Sequence, residues 1–224
     1  LSFPWLKFTL LDEAGYTDHH LFQHILQIPF TYLGDLRLAA KWAAVSFAAL
    51  AFTAFYLLLW RSEIRFPFLW LLVLFASSHA FLFRMSMPRG QSLSLALQLV
   101  AAHFLLTRNA LGVAFLAAVF VWTYNGFPIL LPLTACGVLT HMYVKRKIEY
   151  SLIVGLGVGI CFGLVCHPYF PRDVLFLWHH IVPKLFASEY STSVGAEWYP
   201  YNSWALLNNA PLALGGYLSG ILLT

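Results

Sequence analysis

The residues with the most chemistry to offer are crowded near the amino end, in Leu11-Asp12-Glu13-Ala14-Gly15-Tyr16-Thr17-Asp18-His19-His20. Three carboxylates and two imidazoles so close together make a group able to accept protons or to bind a divalent cation. The chain holds only nine Asp and Glu in all, so these three are concentrated rather than spread over a solvated surface. A second polar stretch begins His167-Pro168-Tyr169-Phe170-Pro171-Arg172-Asp173 and continues through Trp178-His179-His180 and Lys184 to Glu189, Glu197 and Asn202. Its Arg172, Lys184 and His179 are suited to neutralising a phosphate or pyrophosphate at the level of lipid headgroups, where a cation beside a low-dielectric boundary interacts more strongly than in water. His179 and His180 are neighbours and diverge by about 100° on a helix, so that pair alone does not make a metal site. A short turn, Phe83-Arg84-Met85-Ser86-Met87-Pro88-Arg89-Gly90-Gln91, adds two arginines that are costly next to hydrocarbon unless an anion meets them.

Elements that could position these groups follow from composition. The chain is 60% hydrophobic and 10% charged with a mean hydropathy of +0.74, which a soluble domain of this length could carry only by exposing large apolar patches. A bilayer core takes about 20 apolar residues per helix, because unpaired backbone groups cannot be left in hydrocarbon. The sequence therefore predicts an all-α, polytopic transmembrane helical bundle of about seven spans, over residues 38–60, 66–83, 92–106, 110–124, 127–144, 151–167 and 204–223. Residues 1–37 read as an outward loop and interfacial helix, 38–167 as a six-span bundle, 168–203 as an outward loop and 204–224 as the last span. Within 20–33, Leu21, Phe22, Ile25, Leu26 and Ile28 recur near helical spacing while His20, Gln23, His24 and Gln27 take the other side, the pattern of a helix lying along the interface. Because the chain starts without Met and stops inside an apolar run, it reads as part of a longer protein.

Charge sets the expected orientation. The turns after spans one, three and five carry six basic residues (Arg61, Arg65, Arg108, Lys145, Arg146, Lys147) and two acidic ones (Glu63, Glu149), whereas the opposite side is balanced. By the positive-inside tendency the basic turns are cytoplasmic, and both long polar stretches face outward together with the turn at Tyr124, Asn125 and Gly126. The basicity is thus explained by orientation and not by nucleic acid. Cys136, Cys161 and Cys166 fall inside apolar segments without metal or disulfide spacing. Of the histidines in or beside spans, His103 and His141 lie at similar depth, but structural polar contacts account for them better than haem, which is not expected.

This layout resembles the glycosyltransferase C superfamily, membrane enzymes that move sugars from polyprenyl-phosphate carriers. Asp12-Glu13-x-x-Tyr16 is similar to the Asp-Glu motif in the first outward loop of protein O-mannosyltransferases and aminoarabinose transferases, and Leu33-Gly34-Asp35-Leu36-Arg37-Leu38-Ala39-Ala40-Lys41 resembles the entry to that family's second transmembrane helix. The resemblance implies an integral membrane glycosyltransferase acting at the outer face of a bacterial inner membrane, with a lipid-linked sugar donor and an acceptor the sequence does not name. It implies Asp12 as general base or acceptor-orienting group with Glu13 assisting, and Asp18 and His19 as candidate ligands of a divalent cation, Mg or Mn. Arg84, Arg89, Arg172, Lys184 and His179 are candidate phosphate clamps by side and charge. A non-catalytic membrane subunit of a larger complex and a transporter are the rival readings. A transporter should place ionisable groups near the bilayer midplane, where only Lys41 and His103 qualify.

Overall fold

The structure, a computed structural model, describes residues 17–186, 204, 207–208 and 210–222. Every regular element among these is helical: α1 (Leu21–Thr31), α2 (Leu36–Arg61), α3 (Pro67–Ser77), α4 (His79–Met85), α5 (Gln91–Leu106), α6 (Ala110–Thr123), a 3-10 turn (Phe127–Ile129) running into α7 (Leu130–Lys145), α8 (Tyr150–Val165), α9 (Arg172–Phe186) and α10 (Pro211–Leu222).

Among the described residues two helices are long and apolar enough to cross a membrane, Leu36–Arg61 and Phe127–Lys145, which marks the chain as membrane-associated. The expected seven spans are corrected to these two, or three if a bent pair counts as one span. That pair is α3 and α4, which meet at 97° where a straight helix over 66–83 was predicted. Ser78 makes the break: its backbone is extended, and its hydroxyl accepts the Phe81 N–H to cap α4. The helices α5, α6 and α8 have 16, 14 and 16 residues. At 1.5 Å per residue each is about 21–24 Å long, short of a hydrocarbon core of about 30 Å. Their composition is that of spans, but caps and turns at Thr107, Asn109, Tyr124 and Cys166 end them early. The predicted last span is represented among the described residues by the 12-residue α10, with Pro211 in its first turn. The stretch 168–203, expected as a loop, holds helix α9.

Small residues allow the closest packing. Gly155, Gly159 and Gly163 recur every fourth residue on α8 and face Ala110, Ala114 and Ala118 on α6, so the backbones touch without intervening side chains. A β-carbon at Gly155 would lie 2.6 Å from the Ala110 carbonyl oxygen, and one at Gly159 would overlap the carbonyl of Ala114 outright. Trp122 locks the outer end of this pair by donating its indole N–H to the Gly163 carbonyl at 2.8 Å. Around the pair, Leu105, Val113, Phe120, Leu130, Leu152 and Leu156 form the main core. A second cluster of Ala43, Phe47 and Leu93 joins α2 to α5, and Leu26 and Phe30 of α1 pack on it. Helix α1 is thereby tied to the bundle.

Two local features fix how α1 enters α2. Gly34 takes a left-handed φ of +89°, the conformation that glycine adopts at least cost. Asp35 follows as N-cap, its carboxylate accepting the Arg37 N–H at 2.8 Å. Asp35→Ala should lower the unfolding free energy by about 1 kcal/mol while Asp35→Asn keeps most of it; denaturant midpoints of the two variants in detergent check this.

At the end of the bundle carrying the basic turns, Arg108 bridges to Glu149 at 3.0 Å. His141 Nε2 lies 3.1 Å from the carbonyl oxygen of Leu105, a polar contact between α7 and α5 that satisfies the ring. The opposite end, where α1 starts, α5 begins and α6 and α8 finish, gathers the remaining polar chemistry.

Candidate functional site

Four chain segments meet at that end: the entry to α1 (17–24), the turn before α5 (85–91), the turn after α6 (124–126) and the segment from the end of α8 into α9 (166–177). Contacts between named side chains join them. The His19 ring stacks on Phe176 of α9 with centroids 4.7 Å apart, and His20 stacks on Tyr124 at 5.1 Å. Gly90 sits so close to α1 and the α6 turn that a β-carbon there would come within 2.8 Å of both the Gln23 amide oxygen and the Tyr124 ring. Ser92, fully buried, pins the same turn by donating to the Met85 carbonyl at 2.8 Å. Trp122 meets His167 edge to face at 5.7 Å. Sequence reading placed the two polar stretches on one side; the structure brings 17–24 and 167–176 into contact.

Asp18 is the electrostatic hub. Its Oδ2 lies 2.7 Å from His24 Nδ1 and its Oδ1 accepts the backbone N–H of His20 at 3.1 Å. Burial alone would raise the Asp18 carboxyl, but the His24 hydrogen bond, the His20 N–H and the imidazole charges outweigh it and hold the group below its ordinary value. The same hydrogen bond raises His24 against the opposing effect of burial. Both shifts favour the charged forms of the two groups, which face each other at the start of α1.

The imidazoles behind this pair are held neutral. Burial, helped by the charge of His19 and partly offset by a hydrogen bond with Asn125, pushes His20 down to about 4. His167 is lowered by burial despite the carboxylates of Asp173 and Asp18. Its Nδ1 accepts the Tyr169 N–H at 3.3 Å and lies 3.8 Å from Asp173 Oδ2. Asp173 is 5% exposed, and burial raises its carboxyl against the pull of His167 and nearby backbone N–H groups. A small cavity of about 10 Å³, room for roughly one water, lies between His19, Asn125, His167 and Asp173. Beside the cluster, separated from His167 by the Trp122 ring, an apolar groove of about 340 Å³ runs between α6 and α8 along Phe115, Ala118, Val119, Phe162 and Gly163 and is capped by Phe22 of α1.

The arrangement therefore places an Asp–His pair biased toward its charged form beside imidazoles biased toward neutrality and a carboxyl biased toward its protonated form. Environments that push neighbouring titratable groups apart are what acid–base chemistry requires.

The predicted residues divide as follows. Asp12 and Glu13 lie outside the described residues. Arg84, Arg89 and Arg172 are exposed and flank the cluster in sequence, next to Met85, Gly90 and Asp173. His179 is exposed on α9; Lys184 lies on the same helix, with its side chain outside the described residues. Of the proposed cation pair, Asp18 accepts hydrogen bonds from His24 and the His20 N–H, and His19 stacks on Phe176. Among the described residues no group of three or more His, Cys, Asp or Glu is arranged to hold an ion. Reading the sequence missed His20, His24, His167 and Asp173 as members of one site. The signal present was the density of histidine in both polar stretches; their pairing depends on how α9 folds back.

Comparison with protein-family models, with curated proteins and with solved structures finds no match.

Proposed function

We propose that this chain belongs to an integral membrane glycosyltransferase that moves a sugar from a polyprenyl-phosphate carrier to an acceptor at the outer face of a multi-pass bundle, in a bacterial inner membrane. The observation that carries the reading is the meeting of the Asp18–His24 segment with the His167–Asp173 segment at the helix ends opposite the basic turns. A sugar on a phosphate carrier is already activated. What the enzyme must add is a base for the acceptor, alignment, and positive charge for the departing phosphate.

Asp12 and Glu13, a few residues before Asp18, are the proposed base and its assistant. Asp18 is itself held by His24 and the His20 backbone N–H. Arg84, Arg89 and Arg172, with His179 and Lys184 on α9, supply the positive charge for the phosphate. The apolar groove under Phe22 and beside Trp122 offers hydrocarbon a place to lie close to these groups. No step is routed through a cation.

The test is sugar transfer by the full-length protein reconstituted in liposomes with a radiolabelled polyprenyl-phosphate sugar. Asp12→Asn should reduce turnover by about 10²-fold or more with the protein still folded, as loss of a general base does. Arg89→Ala should chiefly raise the donor concentration needed. Unchanged transfer in Asp12→Asn removes the catalytic assignment, and absence of transfer from any donor in the wild-type protein removes the reading itself.

A further inference from the structure

Helix α9 has two faces with different surroundings. One is closed against the bundle: Asp173 and Phe176 are 5% and 7% exposed, and Leu177 packs on the main core. The other carries large apolar side chains that nothing in the described structure covers, with Val174 39%, Leu175 58% and Trp178 64% exposed. These three fall at i, i+1 and i+4, so they form one stripe on the helix. Water is a poor environment for such a stripe, at a cost of about 25 cal/mol for each Å² of apolar surface left in it.

What covers it is indicated by the helix before it. On α8, itself an apolar helix, the exposed residues Val154, Val158, Phe162 and Val165 make a stripe at close to four-residue spacing along the outside of the bundle. That stripe ends at Val165, and the exposed Arg172 opens α9. Two consecutive helices thus leave apolar stripes uncovered in a chain that is 60% hydrophobic, the kind of surface that lipid covers at lower cost than water. Trp is suited to the headgroup level, its ring apolar and its N–H wet.

We infer that α9 is a second interfacial helix, seated on the outer lipid surface through Val174, Leu175 and Trp178 while its inner face, through Asp173 and Phe176, roofs the histidine cluster. The occupant of the outer face is the headgroup–acyl boundary of the bilayer itself, and the roof of the site is held between protein and lipid. This inference needs the chain to be membrane-associated and does not depend on the proposed reaction.

The experiment places nitroxide labels at Leu175→Cys and Trp178→Cys in full-length protein whose Cys136, Cys161 and Cys166 are serine, in nanodiscs of phosphatidylcholine and phosphatidylglycerol. Phe162→Cys on α8 is the lipid reference and Arg146→Cys in a basic turn the aqueous one. The expected result is that labels at 175 and 178 relax more with oxygen than with a water-soluble nickel chelate, as at 162 and opposite to 146. Preference for the nickel chelate at both positions overturns the inference by showing a water-facing helix. Low access to both reagents also overturns it, since protein, from this chain or a second copy, then covers the face. Should the labelled variants not fold, Trp178→Phe in the otherwise unaltered protein carries the test: it should diminish fluorescence quenching by lipids brominated on the acyl chain, and undiminished quenching overturns the inference.

Discussion

Replacing Gly159 by valine should lower the stability of the bundle by roughly 3 kcal/mol or more, the upper range for overpacking a closed contact. The reason lies in what the new side chain meets. A β-carbon at Gly159 overlaps the carbonyl oxygen of Ala114, which belongs to the backbone of α6 and cannot rotate out of the way. Relief requires α6 and α8 to move apart, which would open the contacts of Gly155 with Ala110 and of Gly163 with Ala118 and strain the Trp122–Gly163 hydrogen bond. Gly157 on the same helix is the internal control, because a β-carbon there has nothing within 4 Å. Gly157→Ala should be neutral or stabilising by up to about 1 kcal/mol, since alanine is the better helix former. Denaturant titrations in detergent, followed by circular dichroism, separate the two. Equal midpoints for Gly159→Val and wild type would show that the glycine stripe does not set the α6–α8 distance.

Acidification should destabilise the protein by roughly 3 kcal/mol between pH 6.5 and about 4, through His20. Its folded value is about 4 against an ordinary 6.5, so in this window the unfolded chain binds a proton that the folded one refuses. At about 1.4 kcal/mol per pH unit, that interval gives the stated loss, complete once the pH is below the folded value. His167, also lowered by burial, contributes in the same direction. The neighbours act elsewhere or in the opposite sense. His24 is raised, so its stabilisation is fully present below 6.5 and is lost as pH rises through its folded value. Asp18 is lowered and loses its contribution only as pH falls below 3.8 toward its folded value. Asp173 is raised, so its burial costs stability above its folded value and that cost disappears on acidification. The measurement is unfolding free energy from pH 8 to 4 for wild type and His20→Gln. The variant loses the Tyr124 stack at every pH, so the slope carries the information: it should be markedly flatter below pH 6.5. Parallel curves would mean that His20 is not held neutral by its surroundings.

Much of this molecule was legible in the order of its residues. Hydropathy called for helices, and the alternation of Leu21, Phe22, Ile25 and Ile28 with Gln23 and His24 marked α1 as a helix by its periodicity. Gly34 and Asp35 marked the start of α2 by turn and cap chemistry that needs no distant partner. The distribution of Arg and Lys among the turns separated the two ends of the bundle, since charges collect at ends whatever the packing. Seven spans were not legible correctly. Apolar composition reports what solvent a segment prefers and says little about where a serine hydroxyl at 78 or a cap at Asn109 will interrupt it.

The site depended on the third dimension. His20 and Tyr124 are about a hundred residues apart in sequence, and His19 and Phe176 farther still; they meet because glycines let α6 and α8 approach closely and because α9 turns back against His19 at the entry to α1. Asp18 and His19 are adjacent in sequence, yet neighbouring side chains point to different surroundings: Asp18 pairs with His24, six residues on, while His19 stacks on an aromatic ring. Residue types and their order determined which chemistry was at hand and which end of the bundle would carry it. Which groups are charged and which are kept neutral was decided only by tertiary burial, because a pKa answers to the atoms packed around a group and not to its place in the chain.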